Sequence, residues 1–150
     1  MMREEQVTKA ILKWLTENDW QIVCFDFPQS GTGILLHPNS AQSEKNKDGF
    51  IPDVVAVKDS ISLFFENKDR FYYPDYQKIN NLIVSDEYSI AINELLRPYF
   101  VNEIYYGIGL PTNKHSKRSE DARYLVDFIV GVNGTFSVDI LYNNRNIMFP

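Results

Sequence analysis

The sequence predicts a single α/β domain over residues 1–150 with a central mixed sheet, and three patterns carry that expectation. Val7, Ala10, Ile11, Trp14 and Leu15 recur at helical spacing, so residues 3–18 should form an amphipathic helix. Runs rich in β-branched and aromatic residues at 20–27, 51–57 and 61–67 read as three strands. Helical stripes then separate these strands from a fourth at 102–110, rich in Ile and Tyr.

Composition agrees with a folded globule. Hydrophobic residues make up 44% of the 150 residues and aromatics 14%, enough for a substantial core and too apolar for a disordered chain. No apolar run reaches the length of a membrane helix and no signal-peptide core stands at the start, so a cytoplasmic location is expected. The lone cysteine, Cys24, lies in an apolar run, where it should serve as packing. The net charge of −5 weighs against a nucleic-acid partner, because phosphate binding usually shows as a basic surface.

In chain order, the first helix places Glu4 within its apolar stripe and Glu5 well off it. The first strand follows the Asn18-Asp19 turn. Residues 28–49 are rich in Ser, Gly, Asn, Lys and Pro and read as a loop with a short strand at 33–37. Ser30-Gly31-Thr32-Gly33 lacks the Gly-Lys-Ser/Thr ending of a phosphate loop. Lys45 and Lys47 make this insertion a candidate DNA-facing element.

Residues 51–57 and 61–67 flank a polar break at Lys58-Asp59-Ser60 and form the hairpin on which the functional reading rests. Its first strand opens with Pro52-Asp53 and its second closes with Glu66-Asn67-Lys68. Pairing brings those ends together, and strand alternation points Glu66 and Lys68 to one face with Asn67 on the other. Two carboxylates and an ammonium then converge on one end of the sheet. Magnesium is held in this way, by one or two carboxylates with water or phosphate completing its shell. A nearby lysine can orient a water or stabilise developing charge.

At these residues the chain resembles the PD-(D/E)xK nucleases, the restriction-endonuclease-like superfamily. Pro52-Asp53 matches the first half of the motif and Glu66-Asn67-Lys68 the second, with an apolar hairpin between them. The resemblance implies an α-β-β-β-α-β core, which the pattern follows to about residue 110, and Mg²⁺-dependent hydrolysis of DNA phosphodiesters, with Mn²⁺ able to substitute. It implies that Asp53 and Glu66 hold the metal, that the Asn67 carbonyl is a further ligand, and that Lys68 assists the water. It also implies that a glutamate of the first helix, here Glu4, reaches the site. Gln77 stands where many members carry a polar residue after the catalytic strand. Within the class, the short chain points first to a small type II restriction enzyme acting on double-stranded DNA. A resolvase or repair nuclease comes second. A catalytically silent DNA-binding or scaffold subunit of the same fold is the non-enzymatic alternative.

A second Pro-Asp pair, Pro74-Asp75, is followed by no strand ending in (D/E)xK and is set aside as a catalytic pair. The bridge 69–74 is basic and aromatic; its Arg70 is a candidate phosphate contact. Tyr76, Ile79, Leu82 and Ile83 make one helical stripe. Tyr88, Ala91, Ile92, Leu95 and Leu96 make another, with Ser85 as its expected cap and Pro98 as its end. Residues 112–123 read as a polar loop carrying Lys114, Lys117 and Arg118, the best electrostatic candidates for the DNA backbone. Asn133-Gly134 signals a two-residue turn between strands at 124–132 and 135–142. In that register Val132 faces Thr135, and Val126, Phe128, Val130 and Val132 share an apolar face. Left uncovered, that face would support a homodimer with two sites, one for each strand of a duplex.

Overall fold

The stripe at the start of the chain becomes α1 (Glu4–Glu17), which buries Val7, Ala10, Ile11 and Leu15 together with the hydroxyl-bearing Thr8. The computed structural model describes residues 2–27, 30–39, 49–112 and 115–150. Lys45, Lys47 and Lys114 lie outside the described residues. After α1 come β1 (Gln21–Phe25), β2 (Val54–Lys58), β3 (Ile61–Asn67), α2 (Tyr73–Val84), α3 (Ser89–Leu96) and β4 (Glu103–Pro111). The chain then runs through α4 (His115–Asp121), β5 (Phe128–Val132) and β6 (Val138–Asn143).

Among the described residues the six strands form one mixed sheet in the order β1-β2-β3-β4-β5-β6. β1, β2 and β3 are an antiparallel meander. β4 joins parallel to β3 after the α2–α3 crossover, β5 joins parallel to β4, and β6 returns antiparallel. The β2–β3 turn is tight because Asp59 and Ser60 both take positive φ, 50° and 68°, leaving Lys58 opposite Ile61. One face of the sheet packs Val54, Ala56, Leu63, Phe65, Phe128, Val130 and Val132 against α1. The other packs Val55, Val57, Phe64, Ile108 and Ile129 against α2 and α3. Both faces are therefore covered, which is why the inner strands β3 and β5 are nearly continuous apolar runs.

Four local expectations are corrected. The segment 33–37 makes a single bridge, Leu36 to Phe50, and no strand. Ser85 ends α2 and its hydroxyl accepts the Glu87 N–H, so the second helix of the crossover starts at Ser89. Residues 115–121 are helical, the buried Ser119 of α4 sharing a hydrogen bond with the Tyr76 hydroxyl of α2. At the C-terminus Val132 pairs with Val138 and not with Thr135. The Asn133 side chain accepts the N–H groups of Thr135 and Ser137, which widens the connection beyond two residues.

That last register changes the argument for a dimer. Phe128, Val130 and Val132 are buried beneath α1, and Val126 packs in the opposite core. The apolar face expected to pair with a second copy is interior, so a homodimer would have to use another surface.

Candidate active site

The hairpin β2–β3 sets the geometry. Val54 pairs with Phe65, and one step beyond, the Asp53 N–H donates to the Phe65 carbonyl at 3.0 Å. The Asn67 N–H in turn donates to Asp53 Oδ2 at 2.7 Å, so the carboxylate caps the end of the strand that carries Glu66. Asp53 is 8% exposed. Glu66 is largely covered and accepts the Lys78 ammonium at 3.3 Å.

Alternation along β3 works as expected. Phe65 belongs to the core under α1 and Phe64 to the core under α2 and α3. Glu66, in phase with Phe64, meets Lys78 of α2. Asn67, in phase with Phe65, is fully buried and donates its amide to the Thr8 hydroxyl of α1 at 3.0 Å. The Asn67 side chain is thus a strut between β3 and α1, bound through its Nδ2, while its Oδ1 is buried with no hydrogen-bond partner.

Burial and the neighbouring Glu66 charge push the Asp53 carboxyl up to about 8. Burial also raises Glu66, against the pull of Lys78. Burial lowers Lys68, but the charges of Asp75, Glu4, Glu66 and Asp53 outweigh it, so the ammonium is held above its ordinary range. Glu4 is raised by burial and feels Lys68, Asp69, Asp75 and Asp26, which places it at the rim of the same cluster. Glu5 instead pairs with Lys9 at 2.9 Å on the outer side of α1. The phase of the first helix is therefore the one its apolar stripe predicts.

These shifts have a definite sign. The folded Asp53 carboxyl titrates near 8 against an ordinary 3.8, so folding favours its protonated form. Its contribution to stability is complete below the unfolded value and is lost as the pH rises through about 8. In EDTA, the melting temperature should fall between pH 5 and pH 8.5, and Asp53→Asn should flatten the decline. A profile identical in wild type and Asp53→Asn would show that the pair is not strained by its own charge.

The sequence reading passed over several neighbours. Asp75 is 7% exposed with Oδ2 buried and without a hydrogen-bond partner, and it interacts electrostatically with Glu4, Glu66 and Lys68. Its phase was visible: Asp75, Ile79 and Leu82 stand at i, i+4 and i+7 on the buried side of α2. Lys78 falls one turn beyond Asp75, with no motif to mark it. Asp26 follows β1 and donates its N–H to the Asp53 carbonyl at 2.9 Å.

Of the expected DNA contacts, Arg70 is exposed, pairs with Asp69 at 3.1 Å and lies 5.9 Å from the Tyr72 ring centre. Gln77 is exposed beside the buried Tyr76. Lys117 and Arg118 are exposed on α4. Because Asn67 pairs in parallel with Gly109, the crossover into α4 leaves the sheet at the end that carries the carboxylates. Sites in α/β sheets commonly form outside the carboxyl ends of parallel strands.

Among the described residues no three His, Cys, Asp or Glu side chains gather into a ready-made metal cluster. The donors present are the buried Asp53 carboxylate, the largely covered Glu66 carboxylate and peptide oxygen, a hard-cation set that water and phosphate would complete. A cleft of about 590 Å³ lies apart from them, between α1 and the β5–β6 loop, lined by Lys13, Trp14 and Phe136 among others. No helix among the described residues is long and apolar enough to cross a membrane. Compared with protein-family models, with curated proteins and with solved structures, the chain matches none.

Proposed function

We propose that the protein is a Mg²⁺-dependent deoxyribonuclease with a restriction-endonuclease-like core. The observation that carries this reading is the burial of Asp53 beside Glu66 at the end of a tight hairpin, with Lys68 on the same face. Two like charges out of water are costly unless a cation compensates them. Lys78 answers only part of that demand. The helix, three strands, helical crossover and parallel strand also follow the order that the motif resemblance implies.

In this reading Asp53 and Glu66 would hold Mg²⁺, with the Asn67 carbonyl beside them. The ion would supply Lewis acidity toward a phosphoryl oxygen and a lowered pKa for water. Asp53 is held in place by the Asn67 N–H and by its own strand pairing. Lys68 supplies positive charge where the attacked phosphate gains negative charge. Glu4 borders the site from α1. Lys117 and Arg118, with Lys114 and the insertion lysines, offer backbone contacts to a duplex.

Supercoiled plasmid incubated with purified protein should be nicked in Mg²⁺ or Mn²⁺ and left intact in EDTA. Cleavage that persists in EDTA would exclude the metal mechanism. The net charge of −5 supports a second reading, a silent subunit of the same fold, since it makes a poor electrostatic partner for DNA. Ca²⁺ or Mn²⁺ binding with no nicking under any condition would favour that subunit. Restriction, junction resolution and repair share this chemistry and would be separated by substrate.

A further inference from the structure

The aromatic side chains that follow β3 divide between core and surface. Phe71 packs against the core, its ring centre 5.1 Å from that of the buried Tyr76. Tyr72 and Tyr73 turn outward and are 45% and 41% exposed. Tyr124, just after α4, is 68% exposed, and its hydroxyl lies 3.3 Å from that of Tyr73. Three tyrosines therefore share one stretch of surface at the start of α2.

This surface adjoins the site. The Lys68 N–H donates to the Gly109 carbonyl at 3.0 Å, which carries the β3–β4 ladder one residue past Asn67. Alternation then places Lys68 on the face of Glu66. The Tyr72 ring centre lies 5.8 Å from Lys68 Nζ and 5.9 Å from Arg70 Cζ, both at the outer edge of cation–π contact. The two cations steer the ring without covering it. The Asp75 N–H donates to the Tyr72 carbonyl at 3.1 Å and fixes the backbone that carries it.

An exposed aromatic face bordered by cations suits one form of DNA. Within a duplex each base is stacked on its neighbours and offers edges and phosphates. An unpaired base has a free face, and an aromatic side chain can take it whatever the sequence. Stacking also suits a chain of net charge −5, because it adds affinity that does not come from phosphate neutralisation.

We propose that the site takes unpaired DNA strands, with Tyr72 as the residue on which a base stacks and Arg70 as the contact to its phosphate. Arg70 would exchange its exposed pair with Asp69, a contact of small worth, for that phosphate. Tyr73 and Tyr124 extend the platform. The substrate is then a junction, a flap or a single-stranded tract, and not a continuous duplex site. Cleavage of such DNA rests on the nuclease reading; binding by the tyrosines does not.

Anisotropy of a fluorescein-labelled oligothymidine, measured in EDTA at low salt, tests binding apart from cleavage. The wild type should bind it about tenfold more tightly than a duplex of the same length. Tyr72→Ala should lower single-strand affinity about tenfold, the scale of one lost base stack, and leave duplex affinity unchanged. Tyr72→Phe keeps the ring and should bind as wild type does, whereas Tyr72→Leu keeps the bulk and should bind as Tyr72→Ala does. Tyr124→Ala should cost about fivefold and carries the same comparison should a Tyr72 variant fold poorly. Duplex binding as tight as single-strand binding, no binding of either, or full single-strand affinity in folded Tyr72→Ala overturns the proposal. Tyr72-dependent binding by a protein that cuts no DNA defeats the nuclease reading alone. Mg²⁺-dependent cutting with no preference for single-stranded over duplex circles overturns this proposal and leaves that reading standing.

Discussion

Asp53→Ala should abolish nicking, with a loss on the order of 10³-fold or more, while leaving the protein folded and at least as stable in EDTA at pH 8. Both halves of that expectation come from the same feature. Asp53 is buried and its carboxyl is pushed up to about 8 by burial and by Glu66, so in the metal-free protein its charge opposes folding. Removing it relieves repulsion and leaves a small void, and the Asn67 N–H loses its acceptor. These effects offset one another in stability. If Asp53 is the cation ligand proposed above, nothing in catalysis offsets its loss. Glu66→Ala should lose as much activity, with the freed Lys78 left to solvent. A folded Asp53→Ala protein that nicks at the wild-type rate would end the metal-site reading.

The largest effect on stability is expected at Gly107→Ala. Gly107 of β4 pairs with Phe128 of β5. A Cβ there would stand 2.3 Å from Phe128 Cδ1 and 2.5 Å from the Phe128 carbonyl oxygen. The ring has nowhere to go, because Phe128 is fully buried between Phe65, at 5.0 Å between ring centres, and Phe149, at 5.4 Å. The backbone oxygen cannot move without opening the β4–β5 ladder. A loss of about 3 kcal/mol or more follows, at the top of the range for overpacking. At Gly109 the added atom meets only the Asn67 Oδ1 and Ile11 Cδ1 side-chain atoms, each at 2.4 Å. Gly109→Ala should cost less than Gly107→Ala, about 2 kcal/mol, since it clashes with the ends of two buried side chains and with no backbone atom. Urea titrations of the two variants separate the cases, and equal midpoints would show that the β4–β5 pairing yields more easily than its geometry implies.

The contrast between what the sequence predicts and what the fold adds follows from how far each signal reaches. α1 and the β2–β3 hairpin are legible because period and turn chemistry act over a few residues, and those residues also face the core. The Asp53–Glu66 pair belongs to that local class. Pro74-Asp75 is set aside as a catalytic pair for want of a following strand ending in (D/E)xK; that Asp75 is buried on α2 can be read from its helical phase with Ile79 and Leu82. α4 was hidden by composition: its sequence HSKRSED has no apolar stripe, and contacts with neighbouring elements, such as that of Ser119 with Tyr76, hold it in place. The Asn133-Gly134 signal failed because a two-residue turn of that kind needs positive φ at both positions. Neither residue adopts it, and Phe136 takes φ 63° instead.

One hydrogen bond gives the site a reporter of its own. The Asn67 amide points not to a strand carbonyl but to the carboxylate of Asp53 at 2.7 Å. An amide bonded to a charged oxygen resonates downfield, and its solvent exchange is slow only while that bond is closed. A single backbone resonance in a ¹⁵N-labelled sample therefore follows the state of Asp53. It should move on titration with a diamagnetic cation such as Ca²⁺, and it should lose protection in Asp53→Ala while the amides of Leu63 to Phe65 keep theirs. Occupancy of the carboxylate pair thus becomes visible in a protein to which no substrate has yet been given.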